Sequence, residues 1–183
     1  MSDTLTQAGV RTGLFIGGTE RFTDETLKIA DPGKPGAVVG EAASASTQDV
    51  ADVNLGGGLG NGKAYIIPQS VEADSLGKHI KEGKLMFLWD LPHALLAGNT
   101  AIVKPPPTAP LATAKLVQRV AEKLPPGVLN IVTGKDENMS GLIQNTDIAK
   151  VCFTGSVNGG KRMMEMASKT LTRVTLELGG NDA

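Results

Sequence analysis

The sequence predicts an α/β fold, an open parallel sheet with helices on both faces, entered through small antiparallel N-terminal strands. Two observations carry that expectation. Between Leu85 and Ala183, strand-like and helix-like segments alternate four times, which requires right-handed crossovers and a parallel sheet. At the end of one such strand, Val151-Cys152-Phe153 gives way to Thr154-Gly155-Ser156 and then to Gly159-Gly160. That is the pattern of a strand-to-helix turn whose bare backbone N–H groups can grip a phosphate.

Residues 1–53 read as an N-terminal unit of short strands and the start of a first helix. The apolar pieces LFI and AVVG flank ADPGKPG, where Asp31-Pro32-Gly33 and Pro35-Gly36 are turn chemistry between antiparallel strands. Ser46, Thr47 and Asp49 then announce a helix, with Val50 and Val53 as its first apolar positions. Residues 54–84 read as a shortened, irregular segment. Its run LGGGLGNGK carries five glycines, and Gly57 to Lys63 has the spacing of a G-x-x-x-x-G-K phosphate loop. Ala64 stands where that loop needs a hydroxyl for magnesium, and no apolar strand precedes it, so a nucleotide triphosphatase is not the reading. Ala64 to Ile67 can form a strand, and Val71 to Lys84 predicts no element.

Residues 85–183 read as a regular α/β region. LMFLWDLPHALLAG predicts a buried helix bent near Pro92 and closed by Gly98. Thr100 to Lys104 is a strand stopped by Pro105, Pro106 and Pro107, which have no N–H to give to a ladder. With Pro110 in its first turn, a helix follows on Leu111, Ala114, Val117, Ala121 and Leu124 at helical spacing. Pro125-Pro126-Gly127 ends it, and Val128 to Val132 is the next strand. A weaker helix runs from Glu137 to Asn145 with Met139, Leu142 and Ile143 on one face. Lys150 to Phe153 is a strand, and Val157 to Ser168 a helix with Met163, Met164 and Ala167 inward. Thr172 to Leu178 is the last strand, alternating Val174, Leu176 and Leu178 against Arg173, Thr175 and Glu177.

Composition narrows the function. With 183 residues, 40% hydrophobic and 20% charged, the chain is globular, and a net charge of -1 offers no footprint for nucleic acid or an anionic membrane. One cysteine excludes an internal disulfide and a cysteine-cluster metal site, and two isolated histidines argue against a histidine site. MSDTLTQAGV has neither a basic start nor an apolar core, so no secretory signal is expected. Leu85 to Val103 is broken by Asp90, Pro92, His93 and Gly98 and does not read as a membrane span. A cytoplasmic protein is expected.

Three candidates for chemistry sit at carboxyl ends of predicted strands: Lys104, the Gly155–Gly160 turn and Glu177. Lys104 can meet a ribose or phosphate, or stand as a plain solvated lysine. Gly159 and Gly160 each disfavour a helix by about 1 kcal/mol relative to alanine, so either a ligand approaches closely or the strand-to-helix connection is tight. Glu177, followed by two glycines, can face a crevice, where partial burial would raise its pKa toward general-base use, or be an ordinary edge carboxylate.

Read together, GNTAIVKPPPTAPL, PPGVLNIVTG, VCFTGSVNGGKRMM and RVTLELGGNDA resemble, in order and spacing, the cofactor-binding region of the NAD(P)-dependent aldehyde dehydrogenase superfamily, with its Rossmann-like sheet. The resemblance is clear over Leu91 to Ala183. GLFIGG and EAASASTQDV look like the family's opening strands and first helix, and Asn54 to Lys84 resembles little. It implies NAD or NADP as cofactor and a small-molecule aldehyde as substrate. Lys104 would contact the adenosine ribose or its 2′-phosphate. Gly155, Ser156, Val157, Asn158, Gly159 and Gly160 would form the dinucleotide turn, with Ser156 on the pyrophosphate. Glu177 would be the general base that activates water for thioester hydrolysis.

The sequence also departs from the family. The nucleophilic cysteine of the family follows ELGG, and none follows it before Ala183. Cys152 falls inside an apolar strand, where an inert thiol is expected. Ile66-Ile67-Pro68-Gln69-Ser70 is the nearest likeness to the oxyanion-stabilising segment, with Ser70 in place of its asparagine. Pro107 stands where many members have a ribose-binding glutamate, so NAD and NADP both stay open. The expectation is a truncated member, lacking the catalytic cysteine domain, that does not oxidise aldehydes. The alternative is a non-catalytic dinucleotide-binding or partner-binding module. Exposed Leu91, Leu95, Met163 and Met164 would favour a homo-oligomer or aggregation.

Overall fold

The computed structural model describes residues 9–31, 33–53, 64–68 and 87–179, and for 64–68 and 87–89 the backbone alone. The glycine run at 57–63, the Ser70 position, the Val71 to Lys84 stretch, the first eight residues and Gly180 lie outside the described residues. Along the chain come β1 (Val10–Thr12), β2 (Leu14–Ile16), β3 (Thr19–Arg21), β4 (Thr26–Ala30), β5 (Val38–Ala43), α1 (Thr47–Ala51), β6 (Ala64–Pro68), α2 (Phe87–Leu96) and β7 (Thr100–Lys104). Then follow α3 (Leu111–Ala121), β8 (Leu129–Ile131), α4 (Ser140–Ile143) behind the 3-10 turn Asp136–Met139, β9 (Ile148–Gly155), α5 (Val157–Ser168) and β10 (Arg173–Leu178).

Seven strands make the main sheet in the order β10-β9-β6-β7-β8-β2-β3. The five from β10 to β8 pair in parallel, and β2 closes antiparallel on β8 through Phe15 opposite Ile131. The expected α/β architecture is therefore present. The strand allowed over Ala64 to Ile67 forms as β6 and sits between β9 and β7 near the middle of the sheet. Of the N-terminal strands, β2 and β3 extend the main sheet, whereas β1, β5 and β4 make a separate three-stranded sheet.

The turn read at ADPGKPG joins β4 and β5 antiparallel, whereas LFI, as β2, pairs antiparallel with β3, a hairpin the sequence does not announce, and not with the AVVG strand. Between β4 and β5 the Asp31 carboxylate accepts from the Gly33 N–H at 2.8 Å, and Gly36 turns with φ 85°. β1, by contrast, runs parallel to β5. The chain leaves β1 for the main sheet before returning, and a connection of that length does not force antiparallel pairing. α1 begins as its sequence dictates: the Ser46 hydroxyl accepts from the Asp49 N–H, and the Asp49 carboxylate accepts from the Ser46 N–H.

Alternation of side chains divides the core into two layers. On one face Leu14, Ile16, Ile102, Val151 and Phe153 pack under α1, α4 and α5, joined by Met139, Leu142 and Ile143. On the other, Phe15, Ala101, Val103, Leu129 and Ile131 pack against Leu91 of α2 and Ala114, Val117 and Ala121 of α3. Helices thus cover both faces. α2 runs through Pro92 and stops before Gly98, whose φ of 77° suits glycine. Leu91 is buried, contrary to the expectation that it lies uncovered, because the β7 face receives it. Met164 corrects a second expectation. It is 57% exposed, while the inward stripe of α5 runs through Gly160, Met163, Met166 and Ala167.

Candidate functional site

From β6 the chain proceeds to β7 and β8 on one side and later to β9 and β10 on the other, so the strand order reverses between β6 and β9. Ligands of open parallel sheets bind at such a switch, outside the carboxyl ends of the strands. A cleft of about 850 Å³ opens there. Lys104 and Pro107 reach it from the end of β7, Asp136 and Glu137 from the loop after β8, Phe153 and Ser156 from the end of β9, and Asn158, Gly159 and Arg162 from α5.

Of the residues expected to bind cofactor, Lys104, Ser156, Asn158 and Gly159 line this cleft, whereas Gly155, Val157 and Gly160 do not. Lys104 is not a solvated lysine. It is 7% exposed, and its ammonium is bonded to the Asp136 carboxylate, which stands out in solvent. Asp136 escaped the sequence reading. The signal was its place just past the carboxyl end of a parallel strand, the position that singled out Lys104.

Ser156 caps α5, its hydroxyl accepting from the Gly159 N–H at 3.1 Å. That satisfies one of the helix's first N–H groups, and those of Val157 and Asn158 have no acceptor within the helix. The glycines have packing reasons as well. A Cβ on Gly159 would stand 2.6 Å from Cζ of Phe153, and one on Gly160 would stand 2.6 Å from Cδ2 of Leu178. Both glycines therefore seat α5 closely on β9 and β10.

Of the two readings open for Glu177, its place matches the edge carboxylate: it is exposed on the outermost strand, β10, and is not among the residues that line the cleft. Its register partner on β9 is Thr154, one residue before the glycine turn.

The aldehyde dehydrogenase family model matches residues 84–183, over half of the chain and every residue that lines the cleft. The chain belongs to the aldehyde dehydrogenase family. It is 45% identical over 97 residues to fluoroacetaldehyde dehydrogenase of Streptantibioticus cattleyicolor, covering 52% of this chain and 19% of that protein. It is 48% identical over 99 residues to aldehyde dehydrogenase 1A1 of Equus caballus, covering 52% and 20%. The crystal structure of a Mycobacterium tuberculosis aldehyde dehydrogenase complexed with NAD+ superposes on it with a TM-score of 0.73 at 20% identity, covering 96% of this chain and 53% of that one. The chain spans about a fifth of the curated relatives and about half of the solved one.

In this family member the only cysteine, Cys152, is buried within β9, as its sequence context implies. Burial pushes the thiol above its usual range, the Asp90 carboxylate adds to the shift, and Lys150 and Thr175 offset part of it. The folded chain holds this proton more tightly than the unfolded chain. The associated stability is complete below the usual thiol value, about 8.5, and is lost as the pH rises through the folded value. At pH 8 a disulfide reagent is therefore expected to leave Cys152 unmodified in the native protein and to react with it fully in urea. Comparable rates in the two states would show the thiol to be accessible. No helix of the described residues is long and apolar enough to cross a membrane, and no cluster of three metal-ligating side chains occurs among them.

Proposed function

We propose that this chain supplies the dinucleotide-binding part of an NAD(P)-dependent oxidoreductase acting on a small-molecule aldehyde in the cytoplasm. The observation that carries the reading is the convergence of Lys104, Ser156, Asn158 and Gly159 on one cleft at a switch point of the sheet. The cleft fits the cofactor class. Its volume of about 850 Å³ is that of a ligand site, a buried ammonium lies at one end, and the first turn of α5 presents N–H groups suited to a pyrophosphate. When bound, the nicotinamide would supply the hydride acceptor for aldehyde oxidation. Lys104 would hold the adenosine ribose, Ser156 and the turn from Gly155 to Gly160 the pyrophosphate, and Glu177 would activate water.

These 183 residues do not themselves oxidise aldehydes in this reading, since their one thiol is buried and proton-bound. The position of Glu177 outside the cleft favours, as second reading, a non-catalytic dinucleotide-binding or partner-binding module. Self-association in either case would use the exposed Met164, Leu171 and Leu178 beside the β10 edge.

An NADH fluorescence titration of the purified chain is expected to saturate, with Lys104→Ala binding at least about tenfold more weakly, as the loss of one hydrogen bond to a charged group implies. Aldehyde and NAD(P)+ together should yield no reduced cofactor. Aldehyde-dependent turnover by this chain would refute the reading of its thiol, and absence of NADH binding would refute the reading of its cleft.

A further inference from the structure

We propose that Asp136 selects the unphosphorylated adenosine ribose, so that the cleft takes NAD in preference to NADP; the inference rests on the dinucleotide reading above. Lys104 is the buried cation of the cleft, and its charge is already met by the Asp136 carboxylate. An ammonium so paired acts on a ligand chiefly as a hydrogen-bond donor. A ribose hydroxyl suits the pair as it stands, because it can accept from Lys104 and donate to Asp136 in one position. A 2′-phosphate has no proton to spare for a carboxylate at neutral pH and brings roughly two negative charges. It would meet Asp136 directly, with Glu137 beside it on the same wall.

The remaining cations of the cleft do not reverse this balance. Lys135, also on the cleft wall, is paired with Glu25 at 2.7 Å. Arg162 faces the cleft from α5, but Glu165 lines it one turn further on. The carboxylates thus match the cations in number, and a ligand that needs surplus positive charge finds none. Asp136 is also placed to discriminate: its side chain is 77% exposed and holds the Lys104 ammonium, so a ligand that reaches the ammonium meets the carboxylate as well.

Parallel titrations of the 183-residue chain with NADH and NADPH, at one ionic strength, test the inference. NADH is expected to bind at least about tenfold more tightly, the scale of a like-charge contact at a partly desolvated site. Asp136→Asn, which keeps an acceptor for Lys104 but removes the charge, should narrow or invert that ratio by about tenfold. Asp136→Glu should keep the wild-type preference. A wild-type chain that binds NADPH as tightly as NADH overturns the inference without recourse to any variant, as does an Asp136→Asn chain that melts like wild type and retains its ratio. If neither dinucleotide binds, the inference falls together with the cofactor reading. If NADH and NADPH bind equally well, the cofactor reading stands and only the role of Asp136 is lost.

Discussion

Replacing Phe153 by alanine is expected to destabilise the chain by about 3–5 kcal/mol, the usual cost of deleting a buried aromatic ring. Phe153 is 6% exposed at the end of β9, belongs to the larger core layer, and forms part of the cleft wall. Its ring also explains Gly159, whose Cβ would meet Cζ at 2.6 Å and Cε1 at 3.2 Å. Gly159→Ala should therefore cost about 1–3 kcal/mol from overpacking, even though alanine favours a helix over glycine by about 1 kcal/mol. The two sites should couple. With the ring removed, the Cβ at 159 falls into vacated space, so the double variant should lose less than the sum of the singles by about 0.5–3 kcal/mol. Gly160→Ala provides the contrast: its clash is with the tip of Leu178, a flexible and 39% exposed side chain that can swing outward. That variant should be nearly neutral. Urea unfolding of the four variants reads all these terms, and strict additivity at 153 and 159 would remove the packing explanation of the glycine turn.

The same pair illustrates what a sequence can disclose. The glycine turn, the strands Thr100–Lys104 and Arg173–Leu178, and the helix Leu111–Ala121 were legible because each is local: branched runs, prolines and helical spacing write them into a few adjacent residues. Whether Gly159 was a glycine for a ligand or for a neighbour could not be read, since the answer lies in a phenyl ring six residues back that only the fold brings beneath it. β6 is five residues of strand beside a glycine-rich run, and its place between β9 and β7 is a property of topology rather than composition. The pairing of Phe15 with Ile131, which makes the N-terminal hairpin an extension of the main sheet, joins residues far apart in the chain. Met164 departs from its expected inward place for a related reason. Alternation and helical spacing say which residues share a face, but not whether a further layer covers it.

Lys104 was found from its strand end, whereas the group that decides its behaviour, Asp136, lies 32 residues further along the chain. The pair yields an asymmetric prediction. Lys104→Met keeps the packed aliphatic stem and removes a charge held away from water, and replacing a buried charge with an apolar isostere is often neutral or stabilising. Its stability should stay within about 1 kcal/mol of wild type. Asp136→Ala removes a side chain that is mostly in solvent, yet it leaves the buried ammonium without its acceptor, and a loss of about 1–3 kcal/mol is expected. The exposed residue should therefore matter more to folding than the buried one. Binding should rank the other way: Lys104→Met should fold but lack the donor proposed for the ribose, and so weaken NADH binding by about tenfold or more. Thermal melts and NADH titrations on the two variants separate the terms. If Lys104→Met lost stability and affinity together, Lys104 would be a packing residue that happens to border the cleft, and the buried ammonium would have no part in holding the cofactor.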